Sequence, residues 1–249
     1  MCTAILSIEP GAPVLLAGVR DELVDRASEP PARHWPDHPG LIGGRDLVAG
    51  GTWLAVAPSA SRVACVLNGR GAMAPGASRR TRGVLPLQAA DEAKLDRSGL
   101  DGFDPFHLLF AEPGAAVLWS WDGERLAERE LGAGLHIVVN SGLDDAGDLR
   151  DHERARIAHF LPRLREAARP FPGPDETTAQ AWGSWLPLLN GDGLTTDDMR
   201  ALIVRRDLGS GRIWGTSSIS LVALGGAGTR YDFTAAPGDP RAWYPVPVG

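Results

Sequence analysis

Cys2-Thr3-Ala4-Ile5-Leu6-Ser7-Ile8-Glu9-Pro10-Gly11-Ala12-Pro13-Val14-Leu15-Leu16-Ala17-Gly18-Val19-Arg20 follows Met1 at the start of the chain. Two short apolar runs flank a cluster of turn formers, Glu9 to Pro13, and this pattern predicts a β-hairpin. Centring the hairpin on Gly11 sets Ile8 opposite Val14, Leu6 opposite Leu16, Ala4 opposite Gly18 and Cys2 opposite Arg20. Opposed side chains on one face lie about 4.5–5.5 Å apart at Cβ, so Arg20 stands beside the Cys2 thiol; a slip of one residue brings Asp21 there instead. Ala4 and Gly18 are small, which leaves room for a cavity next to the sulfur.

Outward from the hairpin, Leu23 to Gly51 is rich in proline, glycine and charge and predicts an irregular loop bordering a functional site. Strand-like runs resume at Thr52 to Ala57 and Arg62 to Asn68, and continue at Phe106 to Ala111, Ala115 to Trp121, Arg125 to Leu131 and Leu135 to Asn140. Asp148 to Ala168 has near-helical apolar spacing, with Pro162 expected to kink it or end its first half. Further helices are expected over Glu176 to Leu189 and after Thr195, whose hydroxyl and Asp198 resemble a capping box. Strands return at Ser217 to Leu224 and Thr229 to Ala235, joined by a turn at Gly225-Gly226-Ala227-Gly228. Strands, then helices, then strands is the order of an α+β fold rather than of an alternating parallel α/β sheet. With no internal repeat and no linker, residues 1–249 read as one domain.

Composition narrows the function. Hydrophobic residues make up 43% and charged residues 22%, ordinary for a globular chain. The formal charge of −6 offers no field for phosphate backbones or anionic lipid, so nucleic acid is not an expected partner. No apolar run reaches the roughly 18 residues of a membrane span, and Arg20 is the first basic residue, too late for a secretory signal. Two cysteines, Cys2 and Cys65, are too few for a secreted disulfide framework, and a cytoplasmic protein is expected.

Met1 is normally trimmed when a residue as small as cysteine follows. The exposed Cys2 would then carry a thiol of pKa about 8.5 and an α-amine of about 7.7–8.0, a nucleophile and a base on one residue. Arg20 would favour the thiolate and Asp21 would hold the ammonium. The alternative reading makes Cys2 a small apolar residue at a strand end.

Val19-Arg20-Asp21-Glu22, Gly44-Arg45-Asp46, Gly50-Gly51-Thr52-Trp53-Leu54, Asn140-Ser141 and Ile213-Trp214-Gly215-Thr216, together with Met1-Cys2, resemble the NRDE family, also called the transport-and-Golgi-organisation family. The resemblance implies an N-terminal-nucleophile (Ntn) hydrolase fold, a four-layer αββα sandwich of mainly antiparallel sheets with the nucleophile heading a central strand. It also implies cleavage of a non-peptide C–N amide bond, as by an amidohydrolase or acyltransferase, with Cys2, Arg20, Asp21 and Asn140 as catalytic candidates. A side-chain amide such as that of Asn140 can donate to a developing oxyanion; it can equally be a loop asparagine bonding its own backbone. Two departures stand out. Val19 replaces the asparagine that opens the family signature, and Thr216-Ser217-Ser218 stands where relatives carry an arginine, which this chain has either lost or replaced with another such as Arg163 or Arg230.

Other candidates are weaker. His34 and His38 with Asp37 could be metal ligands, but Pro36 prevents a helix from presenting them together and a solvated loop is the simpler reading, so no metal or cofactor is expected. His107, standing where relatives tend to have asparagine, shows no partner in the sequence, nor do His152 and His159; His136 reads as a sheet-face histidine and Cys65 as inert packing. The eight tryptophans read chiefly as core residues able to line an apolar pocket. The expected partner is a small-molecule amide. The rival reading is a non-catalytic carrier or trafficking protein for haem or an apolar acyl ligand, which the resemblance also implies; no Cys-x-x-Cys-His haem-attachment pattern is present.

Overall fold

The computed structural model describes residues 2–225 and 228–249. Strands β1 (Thr3–Ile8) and β2 (Val14–Leu23) form the opening hairpin, with Thr3 opposite Val19, Ala4 opposite Gly18 and Leu6 opposite Leu16. The expected alignment is the one formed, and it excludes the slipped register. Next come β3 (Ser28–Ala32), β4 (Ile42–Asp46), β5 (Leu54–Ala57), β6 (Arg62–Asn68), helix α1 (Leu85–Glu92), β7 (Phe106–Glu112), β8 (Ala115–Trp121), β9 (Leu126–Glu130), β10 (Gly134–Val139) and β11 (Gly142–Leu143). The chain continues through helices α2 (Asp151–Glu166), α3 (Thr178–Trp182) and α4 (Trp185–Leu189), then β12 (Arg205–Asp207), β13 (Ile213–Gly225), β14 (Gly228–Thr234) and β15 (Tyr244–Pro245). The expected turn residues Gly226 and Ala227 lie outside the described residues.

The strands form two sheets and pair antiparallel throughout. One runs β11-β10-β1-β2-β13-β14-β15, with β12 also on β13; the other runs from β3 to β9 in chain order. The fold is therefore mixed α and β, mostly antiparallel strands with few helices. Alternation along β1 sorts side chains to opposite faces. Ala4 and Leu6 join Leu16, Leu54, Val63 and Leu109 in a core that draws on both sheets. Ile5 joins Ala17, Ile137, Phe160, Trp182 and Leu189 in a second core with the later helices. A third core sets α1, through Leu85, Ala89 and Ala90, against Ala55, Ala64 and Leu108. Each large apolar side chain fully buried this way contributes about 1.5–3 kcal/mol.

Several expectations are corrected. Residues 23–51 are not irregular, since β3 and β4 lie within them. Pro30 and Pro31 are tolerated because β3 is the edge strand, paired only with β4 through a register shift between Glu29 and Ala32. Helix α2 runs through Pro162 without ending, because Pro162 and Ala158, whose carbonyl loses its partner, both lie on the exposed side. The stretch 176–189 is two short helices, broken at Gly183 where φ is 46°. No helix follows Thr195: the Asp198 carboxylate bonds the Arg200 N–H and guanidinium instead of returning to the Thr195 backbone. Nor does Gly18 open a cavity. A Cβ there would lie 2.9 Å from Leu54 Cδ1, so the glycine lets the facing sheet approach. Among the described residues no helix is long and apolar enough to cross a membrane.

Candidate active site

The site forms at one end of the sheet that contains β1. Cys2 precedes β1, an interior strand flanked by β2 and β10. Pairing of Thr3 with Val19 on one side and Val139 on the other carries Arg20 and Asn140 to either side of Cys2. The backbone N–H of Cys2 donates to Asn140 Oδ1 at 2.9 Å, and Asn140 Nδ2 donates to the Asn68 carbonyl at 2.6 Å. The Cys2 thiol points to the Asp21 carbonyl, 3.7 Å away. Cys2, Arg20 and Asp21 all line a cleft of about 380 Å³, and Asn140 reaches its edge through Asn68, another lining residue. The expected removal of Met1 falls on a residue outside the described ones.

Arg20 is buried yet well partnered. Its Nη1 donates to Ser217 Oγ at 2.9 Å, its Nη2 lies 3.6 Å from Asp46 Oδ2, and its guanidinium stacks over Trp53 at 4.4 Å. Ser217 occupies a bulge in β13 where the pairing with β2 shifts between Thr216 and Ser218, and its hydroxyl also donates to the Arg20 carbonyl. The Thr216-Ser217-Ser218 segment thus sits against Arg20 and Asp21 with hydroxyls in place of a second guanidinium. Neither replacement arginine is in the cleft. Arg163 contacts Asp192 on the outside of α2, while Arg230 is buried against Asp232.

Asp21, which also lines the cleft, is tied by its carboxylate to β13. Its Oδ1 accepts from Thr216 Oγ1 at 2.7 Å, and among the groups whose charge it feels is Arg156, a buried residue of α2 that donates to Thr3 Oγ1 and the Ala201 carbonyl. Burial pushes the Asp21 carboxyl up, against the pull of Arg156 and the Thr216 hydrogen bond. Burial likewise pushes the Cys2 thiol up; the Asp21 charge adds to the rise and Arg20 opposes it. Desolvation therefore outweighs Arg20, and the sulfur is held as a thiol that needs a base before it can attack. For Asp46, burial works against the charge, but hydrogen bonds from Arg26 and the N–H groups of Val48 and Ala49 hold its carboxyl below the usual range.

His107, without a visible partner in the sequence, has two in space. Its Nδ1 is 2.8 Å from Ser120 Oγ and its Nε2 is 3.3 Å from the Asn140 carbonyl, so it steadies the backbone that carries the Cys2 contact. Burial lowers its pKa, while the Asn140 carbonyl acts in the opposite direction. A depressed folded value means that the unfolded chain binds the proton more readily. The stabilisation is present above about pH 6.5 and is lost as pH falls. Urea unfolding at stepped pH is expected to show His107→Gln flattening the loss between about pH 7 and pH 5; identical slopes for both proteins would refute this role. His159 pairs with Asp192 and His136 with the Gly132 carbonyl. His34 and His38 bond separately to the Pro30 carbonyl and to Asp91.

Sequence reasoning missed Asp46, Asn68, Trp53 and the arginines at 79, 80 and 82, all of which line the cleft. Asp46 and Trp53 lay inside quoted motifs, but nothing local marks them as neighbours of Cys2. No curated protein shows significant similarity to this chain. The family model described as Transport and Golgi organisation 2 matches residues 1–171, well over half of the sequence, and spans Cys2, Arg20, Asp21 and Asn140. On that match, the chain belongs to the Transport and Golgi organisation 2 family.

Proposed function

We propose that this protein is a cysteine N-terminal-nucleophile hydrolase acting on a non-peptide C–N amide bond, built as one αββα domain over residues 1–249. The observation that carries the reading is the grip of Asn140 Oδ1 on the Cys2 nitrogen, 2.9 Å away, while the sulfur of the same residue lines a charged cleft. Once Met1 is removed, that nitrogen is a free α-amine. It takes the thiol proton as Sγ attacks the substrate carbonyl. The tetrahedral oxyanion accepts from Asn140 Nδ2, which has two N–H groups and spends one on the Asn68 carbonyl. The C–N bond then breaks, the departing amine takes the proton from the α-ammonium, and a thioester remains. Water attacks the thioester, giving its proton to the α-amine, and the carboxylic acid and thiol are released.

Arg20 offsets part of the cost of a buried thiolate. Asp21 supplies the backbone carbonyl that aims the sulfur, and its carboxylate lies under the same strand end. The charged lining favours a polar amide over the rival carrier reading for haem or an apolar acyl chain, since apolar ligands need predominantly hydrophobic walls. The test is intact mass spectrometry of purified protein before and after brief exposure to a panel of acyl thioesters and amides. The expected species lacks Met1 and gains one acyl group on Cys2. Protein that retains Met1, or that stays unacylated across the panel, sinks the proposal.

A further inference from the structure

Three of the cleft arginines already have carboxylate partners. Arg20 lies 3.6 Å from Asp46, Arg26 lies 2.7 Å from the same carboxylate, and Arg79 lies 3.2 Å from Asp104. Arg82 is different. Among the described residues its hydrogen bond is from Nη1 to the Pro105 carbonyl at 2.8 Å, and it makes no ion pair. A guanidinium has five N–H donors in a rigid fork, so the Nε and Nη2 edge is left without a partner in a partly buried position on the cleft wall. Cys2 and Asp104 are among the groups whose charge it feels, which places it within electrostatic reach of the sulfur.

The segment that presents Arg82 is held on both sides. The Thr52 N–H donates to the Gly83 carbonyl at 2.9 Å, the Arg80 N–H donates to the Gly102 carbonyl at 2.7 Å, and Thr81 Oγ1 accepts from the Gly83 N–H. Gly51 packs so closely on Gly83 that a Cβ at Gly51 would fall 2.4 Å from the Gly83 carbonyl carbon. The guanidinium is therefore positioned before any ligand arrives, which lowers the ordering cost of binding. In a chain of net charge −6, an unpaired and pre-positioned cation inside a cleft is a local feature that an anion would satisfy.

Building on the amidohydrolase reading, we propose that the substrate is a small amide carrying a free carboxylate, such as an N-acyl amino acid, and that Arg82 receives the carboxylate through its open edge. A cleft of about 380 Å³ suits a molecule of that size and is too small to enclose a folded protein segment.

The test uses protection of Cys2 from iodoacetamide, followed by intact mass, with N-hexanoylglycine and its uncharged counterpart N-hexanoylglycinamide as probes. Cys65 is buried and does not compete for the reagent. Each protein's rate is normalised to its own rate without probe. In the wild type, the acid is expected to protect at concentrations at least about tenfold below the amide, the preference expected of a charge-assisted contact. Arg82→Gln removes that preference, whereas Arg82→Lys, which keeps the charge without the fork, retains part of it. Equal protection by acid and amide, protection by neither, or a preference that survives Arg82→Gln overturns the proposal. The readout does not depend on turnover. Protection by the acid without any acyl-enzyme leaves the carboxylate site standing and removes the hydrolase; acylation of Cys2 from uncharged donors with no preference for the acid does the reverse.

Discussion

Cys2→Ala is expected to fold like the wild type and to lose at least about a thousandfold in kcat toward whichever amide the wild type cleaves, as removal of a nucleophile does when no neighbour can replace it. No other thiol can substitute, because Cys65 is buried within β6 and its pKa is pushed far up by that burial. The fold should be indifferent to the change. Cys2 is half-buried at a strand end, and alanine keeps both the Cβ and the backbone N–H that bonds Asn140. Cys2→Ser separates attack from placement. It keeps a nucleophilic atom on Cβ and the free amine, but a hydroxyl is a weaker nucleophile than a thiol, so a residual rate well below wild type is expected. Product formation under single-turnover conditions is the measurement. Hydrolysis by Cys2→Ala at the wild-type rate would show that the chemistry lies elsewhere.

The largest effect on stability is expected far from the cleft, at Asp232. This carboxylate is fully buried and accepts from Arg230 Nε at 2.7 Å and Nη2 at 2.9 Å, from Thr178 Oγ1 at 2.7 Å and from Trp182 Nε1 at 2.8 Å. It ties α3 to β14 and neutralises a guanidinium that also donates to the Gly173 and Glu176 carbonyls. Asp232→Leu leaves Arg230 charged and unpaired in the interior, a loss of about 3–5 kcal/mol. For a chain of this length that corresponds to a melting temperature lower by roughly 10 °C. Adding Arg230→Leu removes the stranded charge and should restore part of the loss, because a buried pair replaced whole by apolar side chains costs far less than one broken in half. A loss below about 1 kcal/mol for the single variant would show that water reaches Arg230.

Much of the architecture is legible because it is local. The hairpin alignment follows from where Gly11 falls, and β6 and β8 occupy the runs 62–68 and 115–121 that their residue types predict. Misreadings arise where a distant partner overrides the local preference. Pro30 and Pro31 argue against a strand until β4 supplies an edge to pair with. Gly18 suggests empty space until Leu54 fills it from the other sheet. Asp198 is misread for a local reason: it suggests a helix cap, but Arg200, two residues on, claims its carboxylate.

Cys2, Arg20 and Asp21 could be grouped from the sequence, since a short turn returns one strand beside the other and register does the rest. Asn140 entered only through family resemblance. Its contact with Cys2 depends on β10 pairing with β1 across more than a hundred residues. Asn68, Trp53 and Arg82 reach the cleft by the same kind of long-range assembly. By itself, the sequence determined the opening hairpin, the antiparallel character of the chain and the acid and guanidinium beside the thiol, because alternation and turn chemistry act over a few residues. Only the tertiary structure decided which side-chain amide holds the Cys2 nitrogen and which arginines line the cleft without a carboxylate partner, because strand order and the facing of two sheets are set by burial summed over the whole chain.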